Sequence, residues 1–578
     1  MKRDDELRVR PGRTRTTRSQ HAKPFIAQAL AAAEKGGGIR LRSSSLAPKG
    51  AFGRGRAASL SATRGLTNRS RIAVIKARVV RHGTKRAPLF AHLTYLSRDG
   101  VTKDGDPART FGAESNEIDH KAFAARCAED RHHFRFIVSP DDAVELSDIK
   151  AFTRDLMADA KRDLGTRLDW AAVDHWNTEH PHVHVIVRGR TGDGKDLVIS
   201  RDYIREGMRA RAQQLLTLEL GPRSDREIRH SLETQVGAER WTRLDRTLAR
   251  DAAAHGSVVD LRPEPSQSQE NFHGIKIGRM RKLETLGLAQ PLGPAQWSLS
   301  ENAEDVLREL GERNDIIKRI HRSLTEKGRE RGASGFVLHG ESEPLPAIGQ
   351  LVARGLDDEL QGSAYVVIDG VDGRAHHIRL PHLDAAGDSV PGSIVELRRF
   401  EDAAGRHQLA IAVRSDLSIG HQVAAKGATW LDRQLVAKEP MALSEGGFGA
   451  EVRHALNARI DHLMEEGLAR CQGQRIVFAR DLLDTLRRRE LEAAAARVTA
   501  ETGLAYQPAS GGEHVAGIYR QRVTLSSGRF AMIDNGLGFS LVPWSPSLEH
   551  QLGNQVSGIA MRGGSIDWSF GRKRGLGI

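Results

Sequence analysis

The spacing of hydrophobic and polar positions changes several times along the 578-residue chain. Residues 1–70 hold no lasting period. From Arg71 a β-prone run begins, Ile72-Ala73-Val74-Ile75-Lys76-Ala77-Arg78-Val79-Val80, and it stops at His82-Gly83. Leu89, Leu93 and Leu96 recur at helical spacing between Pro88 and Ser97, and a further helix is expected around 117–130. His133-Phe134-Arg135-Phe136-Ile137-Val138 reads as a second strand, ended by Ser139-Pro140. A helix is predicted over 146–164 with Ser147 as its N-cap. Trp170-Ala171-Ala172-Val173 and His182 to Val187 look like two adjacent strands, and Arg/Glu-rich helices fill 201–250. Together 71–250 predict one compact α+β domain.

A Gly/Pro/Ser-containing break at 251–272 reads as a linker. Residues 273–330 predict a small helical unit in which Ile277, Met280, Leu283 and Leu286 precede a turn and a short strand. A helix followed by a small β-wing is the outline of a winged helix. Alternation and turn pairs such as Asp372-Gly373 predict a β-rich domain over 331–417. Residues 418–578 return to helix, with Ser444 resembling a cap, then to strands and a basic tail at Arg572-Lys573-Arg574. No internal repeat is evident.

Charge sharpens the picture of the N-terminus. Residues 1–70 hold 16 Lys/Arg against 4 Asp/Glu, leaving 71 bases and 70 acids elsewhere. The basic balance therefore belongs to a flexible arm, of a kind that displaces counterions from nucleic acid phosphates. No apolar run is long enough to span a bilayer. Two cysteines, Cys127 and Cys471, offer neither a disulfide framework nor a thiolate cage, and a reducing cytoplasm fits.

The chemistry concentrates in Asp174-His175-Trp176-Asn177-Thr178-Glu179-His180-Pro181-His182-Val183-His184-Val185-Ile186-Val187. In a strand His182 and His184 share one face while Val183, Val185 and Val187 enter the core. His175, seven residues earlier, is placed to return from the neighbouring strand as a third ligand. Three imidazoles with open positions suit a catalytic divalent ion. His180 precedes Pro181 and counts as a loop residue. Tyr95 and Tyr203 are the two tyrosines of this domain. Tyr95 lies among Arg78, Arg81, Lys85, Arg86 and Arg98, a set suited to holding phosphates, to which His133 and Arg135 on the second strand are added.

These motifs resemble those of conjugative relaxases of the HUH endonuclease superfamily. His182-Val183-His184 matches the His-hydrophobic-His core, His175 extends it, and Tyr95-Leu96-Ser97-Arg98 resembles the segment bearing the tyrosine nucleophile. The likeness covers 71–250, and the whole chain resembles the long MOB-P, VirD-type relaxases. It implies an α+β fold, an antiparallel sheet with flanking helices, and Mg²⁺ or Mn²⁺ on the three histidines. It also implies a tyrosine transesterification that nicks single-stranded DNA at a transfer origin and leaves a 5′-phosphotyrosyl link. Partners implied are relaxosome accessory proteins and a type IV secretion coupling protein. Where such enzymes commonly have aspartate this chain has Asn177, so Asn177, Asp174 and Glu179 are the candidates for orienting a ligand or accepting a proton. Rival readings are a rolling-circle initiator or transposase of the same superfamily, a non-catalytic DNA-binding regulator with a structural metal, and a small-molecule hydrolase.

Overall fold

The alternating run at the start of the first domain becomes strand β1 (Ala73–Arg81), followed by β2 (His132–Pro140), β3 (Trp170–His175) and β4 (His182–Arg188). They form an antiparallel sheet in the order β1-β2-β4-β3. Period-two burial gives the sheet two distinct faces. Phe134, Phe136, Val138, Val183, Val185 and Val187 pack with Phe152 and Leu156 of the helix Ile149–Leu164 and with Leu216 of the helix Met208–Leu220. Each such side chain contributes about 1.5–3 kcal/mol by leaving water. On the other face the short helices Leu89–Leu96 and His120–Arg126 set Leu93, Leu96 and Phe123 against Ala171, Val173 and Ile186.

This computed structural model describes residues 53–82, 89–97, 102–103, 108–176, 180–262, 272–339, 346–401, 405, 407–561 and 565–569. The chain divides into two compact units, Met1–Gly311 and Glu312–Ile578. Both are mixed α+β with mainly antiparallel sheets. No described helix is long and apolar enough to cross a membrane.

Several sequence expectations need correction. Residues 53–70 are not part of a flexible arm: they contain the helix Arg56–Arg64. Arg54 exchanges backbone hydrogen bonds with Val198 and Ser200, and Ser59 donates to the Asp202 carbonyl. The anchors are backbone groups and the small residues Ser59 and Ala62, so no hydrophobic period announces them. Most of the arm, residues 1–52, lies outside the described residues, as does the tail Arg572-Lys573-Arg574. The expected linker at 251–272 begins inside the helix Arg243–Ala254, and its strand Val258–Asp260 pairs with Gln296–Leu299; 263–271 are outside the described residues. The N-cap of Ile149–Leu164 is Asp148, whose carboxylate accepts two amides, while Ser147 donates to Glu219. The helix Gly447–Glu465 has Gly446 at its N-cap, and Ser444 donates to the Gly446 carbonyl instead of capping it.

The chain also holds an internal repeat, which the hydrophobic pattern did not reveal. Gln-Val-x-Ala-x-x-x-Thr-x-Leu-Asp-Arg-x-Leu occurs at 235–248 and again at 422–435. Arg-x-x-x-Leu-x-x-x-Gly-Leu-Ala follows at 279–289 and at 459–469. In the first copy Arg279 grips Asp245 at 2.7 and 2.9 Å and donates to the carbonyls of Val236, Ala238 and Arg240. In the second, Arg459 grips Asp432 at 2.8 and 2.9 Å and donates to those of Val423, Ala425 and Gly427. Every guanidinium N–H is thus bound, which a buried cation requires. Both aspartates complete a capping box, with Thr242 and with Thr429. Each copy continues from its arginine helix into a β-hairpin, 289–299 or 469–478.

In the second unit the β-rich segment forms a six-stranded sheet running from Phe336–His339 to His407–Ser415. The second copy of the repeat follows it. A further six-stranded sheet, from Ala505–Tyr506 to Ile566–Ser569, ends the described chain.

Candidate metal centre

Antiparallel pairing of β3 with β4 puts His175 directly opposite His182. His184 is two residues further along β4, on the same face of the sheet. The pleat thus gathers three imidazoles from a hairpin-like strand pair, and one ring nitrogen from each lies within 4.8 Å of the others. Ring centroids are 5.4 Å apart for His175 and His182, 4.5 Å for His175 and His184, and 4.9 Å for His182 and His184. None of the three is more than 8% exposed.

Hydrogen bonds to backbone carbonyls set the ring tautomers. His175 Nε2 is 2.7 Å from the Leu96 carbonyl, so Nε2 carries the proton and Nδ1 keeps a lone pair. His182 Nδ1 is 2.9 Å from the His180 carbonyl, which leaves Nε2 as its lone-pair nitrogen. That Nε2 stands 3.1 Å from His184 Nε2. Two nitrogens bound at about 2.0–2.1 Å to one ion would be separated by roughly 3.0–3.4 Å. The donor set, its burial and its carbonyl-fixed rings therefore fit a divalent metal ion.

Tyr95 is half-buried on the helix Leu89–Leu96, one residue before the carbonyl that holds His175. The metal-ligand candidate and the tyrosine helix are thus tied by a hydrogen bond. Tyr203 is different. It is 2% exposed and donates to Asp163 at 2.9 Å, and burial together with the Asp163 charge pushes its phenol well above the ordinary range. A phenol held protonated in a core is a poor nucleophile.

The strand register sorts the remaining candidates. Arg78 lies opposite Arg135, which lies opposite Ile186, the residue two on from His184. Arg78, Arg135 and His133 therefore share the histidine face. Arg135 donates to His133, and burial with the Arg78 charge lowers its guanidinium to about 10. His133 is also paired with His82 at 2.6 Å. Arg81 is out of phase with Arg78 by three residues and belongs to the opposite face of β1. Asp174 must be removed from the ligand-orienting set. It alternates away from the histidines, accepts from Trp176 Nε1 at 2.9 Å and pairs with Lys150 of the helix Ile149–Leu164 at 3.5 Å. His180 is exposed, and its backbone carbonyl is the part that supports the centre. Lys85, Arg86, Arg98, Asn177 and Glu179 lie outside the described residues.

No curated protein and no solved structure matches the chain. A family model described as "Protein of unknown function (DUF3363)" matches residues 276–406 and 397–577. The match begins after the three histidines and takes in the second copy of the repeat. Because it spans a little over half of the 578 residues, the chain belongs to this family of unknown function.

Proposed function

We propose that the protein is a metal-dependent nickase of single-stranded DNA, a relaxase, with Tyr95 as nucleophile and His175, His182 and His184 as metal ligands. On this reading the four-stranded sheet is the core of an HUH domain and 273–330 is a winged-helix-like accessory. The observation that carries the proposal is the convergence of three buried imidazoles, one of them hydrogen-bonded to the residue beside Tyr95. The basic side chains sharing their sheet face, Arg78 and Arg135, add a place for the strand's phosphates.

A bound divalent ion would supply Lewis-acid polarisation of the scissile phosphate. The Tyr95 phenol oxygen forms a bond to phosphorus, the bond from phosphorus to the 3′ oxygen breaks, and the released 3′-hydroxyl takes up a proton as the phenol gives one up. Tyrosine suits this exchange because the phosphotyrosyl ester can be reversed by the same hydroxyl. His175 fixes the tyrosine helix through the Leu96 carbonyl. The carbonyl-bound tautomers keep one lone pair on each of His175 and His182. The covalent adduct would then be the species handed to a coupling protein and a type IV secretion system.

The test is to incubate the protein with labelled single-stranded origin DNA and Mg²⁺ or Mn²⁺ and look for a covalent adduct. Tyr95→Phe is expected to abolish the adduct and Tyr203→Phe to retain it. His184→Ala should lose most metal-dependent cleavage. Imidazole donors favour transition ions over Mg²⁺, so Mn²⁺ should saturate at lower concentration. An adduct that persists in Tyr95→Phe would overturn the assignment. Metal binding without any adduct would favour a DNA-binding regulator with a structural ion.

A further inference from the structure

A second site opens on the other side of the first sheet, where the outer edge of β1 meets the first copy of the repeat. It is a cavity of about 450 Å³, a volume in the range of small-ligand pockets. Its β1 wall is the edge segment Ala73, Val74 and Ile75, of which Ala73 and Ile75 alternate with Lys76 and Arg78 and so face away from the histidine centre. The remaining wall holds three arginines among neutral residues. Arg209 and Gln213 come from the helix Met208–Leu220, and Trp241, Thr242, Arg243 and Arg246 come from the start of the helix Arg243–Ala254.

Three guanidinium groups meet here with little compensation. Arg243 pairs with Asp141 at 3.2 Å. Arg209 and Arg246 both lie close enough to repel it, which together with burial holds Arg243 below its ordinary value. The Trp241 ring closes part of the wall, with its Nε1–H buried out of reach of the cavity. The cationic cluster has no role in the nicking chemistry and would be satisfied by an anion with several acceptor oxygens.

We propose that this cavity binds a phosphate group, presented by a free polyphosphate or by the backbone of a nucleic acid, with Arg209, Arg243 and Arg246 as cationic donors. The site is separate from the histidine centre and does not depend on the nickase reading. Arg243 is already shared with Asp141, so Arg209 and Arg246 carry most of the discrimination. A bound anion removes the mutual repulsion and therefore stabilises the folded first unit.

The experiment uses the full-length chain, freed of metal by chelator, with pyrophosphate as the probe. Binding is followed by calorimetry and by the thermal midpoint. Wild type is expected to bind pyrophosphate and to gain thermal stability. The double variant Arg209→Ala/Arg246→Ala should bind at least tenfold more weakly, with an unliganded midpoint no lower than wild type. A second arm adds an unlabelled oligonucleotide. Competition with pyrophosphate identifies a nucleic-acid backbone as the source of the phosphate, and independent binding identifies a small free polyphosphate. Equal pyrophosphate affinity in wild type and the double variant, or no binding to wild type, would overturn the proposal.

Discussion

The two copies of the repeat share a clamp and differ in what surrounds it. In the first, Trp241, Arg243 and Arg246 line the cationic cavity. Their counterparts in the second are Ala428, Trp430 and Arg433. Ala428 and Trp430 are buried, and Trp430 packs with Phe448, Val371 and Ile394. Arg433 donates to the Ser527 carbonyl at 2.8 Å. So one scaffold presents its helix start to a cavity and the other seals the same positions into a core. The clamp permits this because it satisfies itself: an arginine with five bound N–H groups and a twice-used carboxylate asks nothing of its neighbours.

The comparison is most directly broken by removing the clamps. Arg279→Ala and Arg459→Ala should each cost about 3–5 kcal/mol, since each leaves a buried carboxylate uncompensated. Denaturant unfolding of the full chain checks this, and equal losses are expected from the two copies. A loss in only one would mean the shared hydrogen bonds are not equivalent in energy. Replacing the pair together, Arg279→Met with Asp245→Leu, should recover only part of the loss, because the carbonyls of Val236, Ala238 and Arg240 and the Thr242 cap lose their partners.

Acid should separate the two units next. His339 and His377, both in the second, are lowered to about 4. Burial is the main cause for each, reinforced by His376 beside His339 and by the Arg319 cation beside His377. Asp372, Asp357 and Arg379 are the other charges near them. A histidine with a lowered folded value binds its proton more readily when unfolded. Stability of the second unit should therefore fall as pH drops from about 6.5 to about 4. In the first unit His120 is also lowered, mainly by burial, but Asp141 and Asp159 are raised by burial, which acts in the opposite direction. Thermal unfolding followed from pH 7 to pH 4 should show the second unit weakening first. His377→Gln should reduce that acid dependence.

The smallest effect sharpens the contrast at one equivalent position. Arg433→Ala removes a charged donor from the Ser527 carbonyl, a loss of about 1.5–3 kcal/mol that relief of repulsion from Arg487 and Arg414 offsets in part. Arg246→Ala removes a cation from a mutually repelling cluster and should change stability by no more than about 0.5 kcal/mol. Matching losses at both positions would show that Arg246 is structural and would remove a cationic wall from the proposed phosphate site.

The first-unit strands were legible because each carries an apolar face at period two. The phase of Val183, Val185 and Val187 by itself put His182 and His184 together on the opposite face. Alternation and turn pairs likewise marked the β-rich segment, which became the sheet bounded by Phe336–His339 and His407–Ser415. What only the tertiary structure decided rests on partners distant in sequence. His175 meets His182 because of a ladder register. Its tautomer is set by a carbonyl 79 residues away. Asp174 looked as eligible as any carboxylate until alternation turned it toward Lys150. The repeat stayed hidden because its matching residues are sparse and the clamp spans 34 residues in one copy and 27 in the other. A local pattern specifies which face of an element is buried; it does not say which distant side chain completes a polar contact. Here the carbonyl-held imidazoles and the five-bonded arginines are such contacts: the first shape the histidine centre and the second hold the two copies of the repeat.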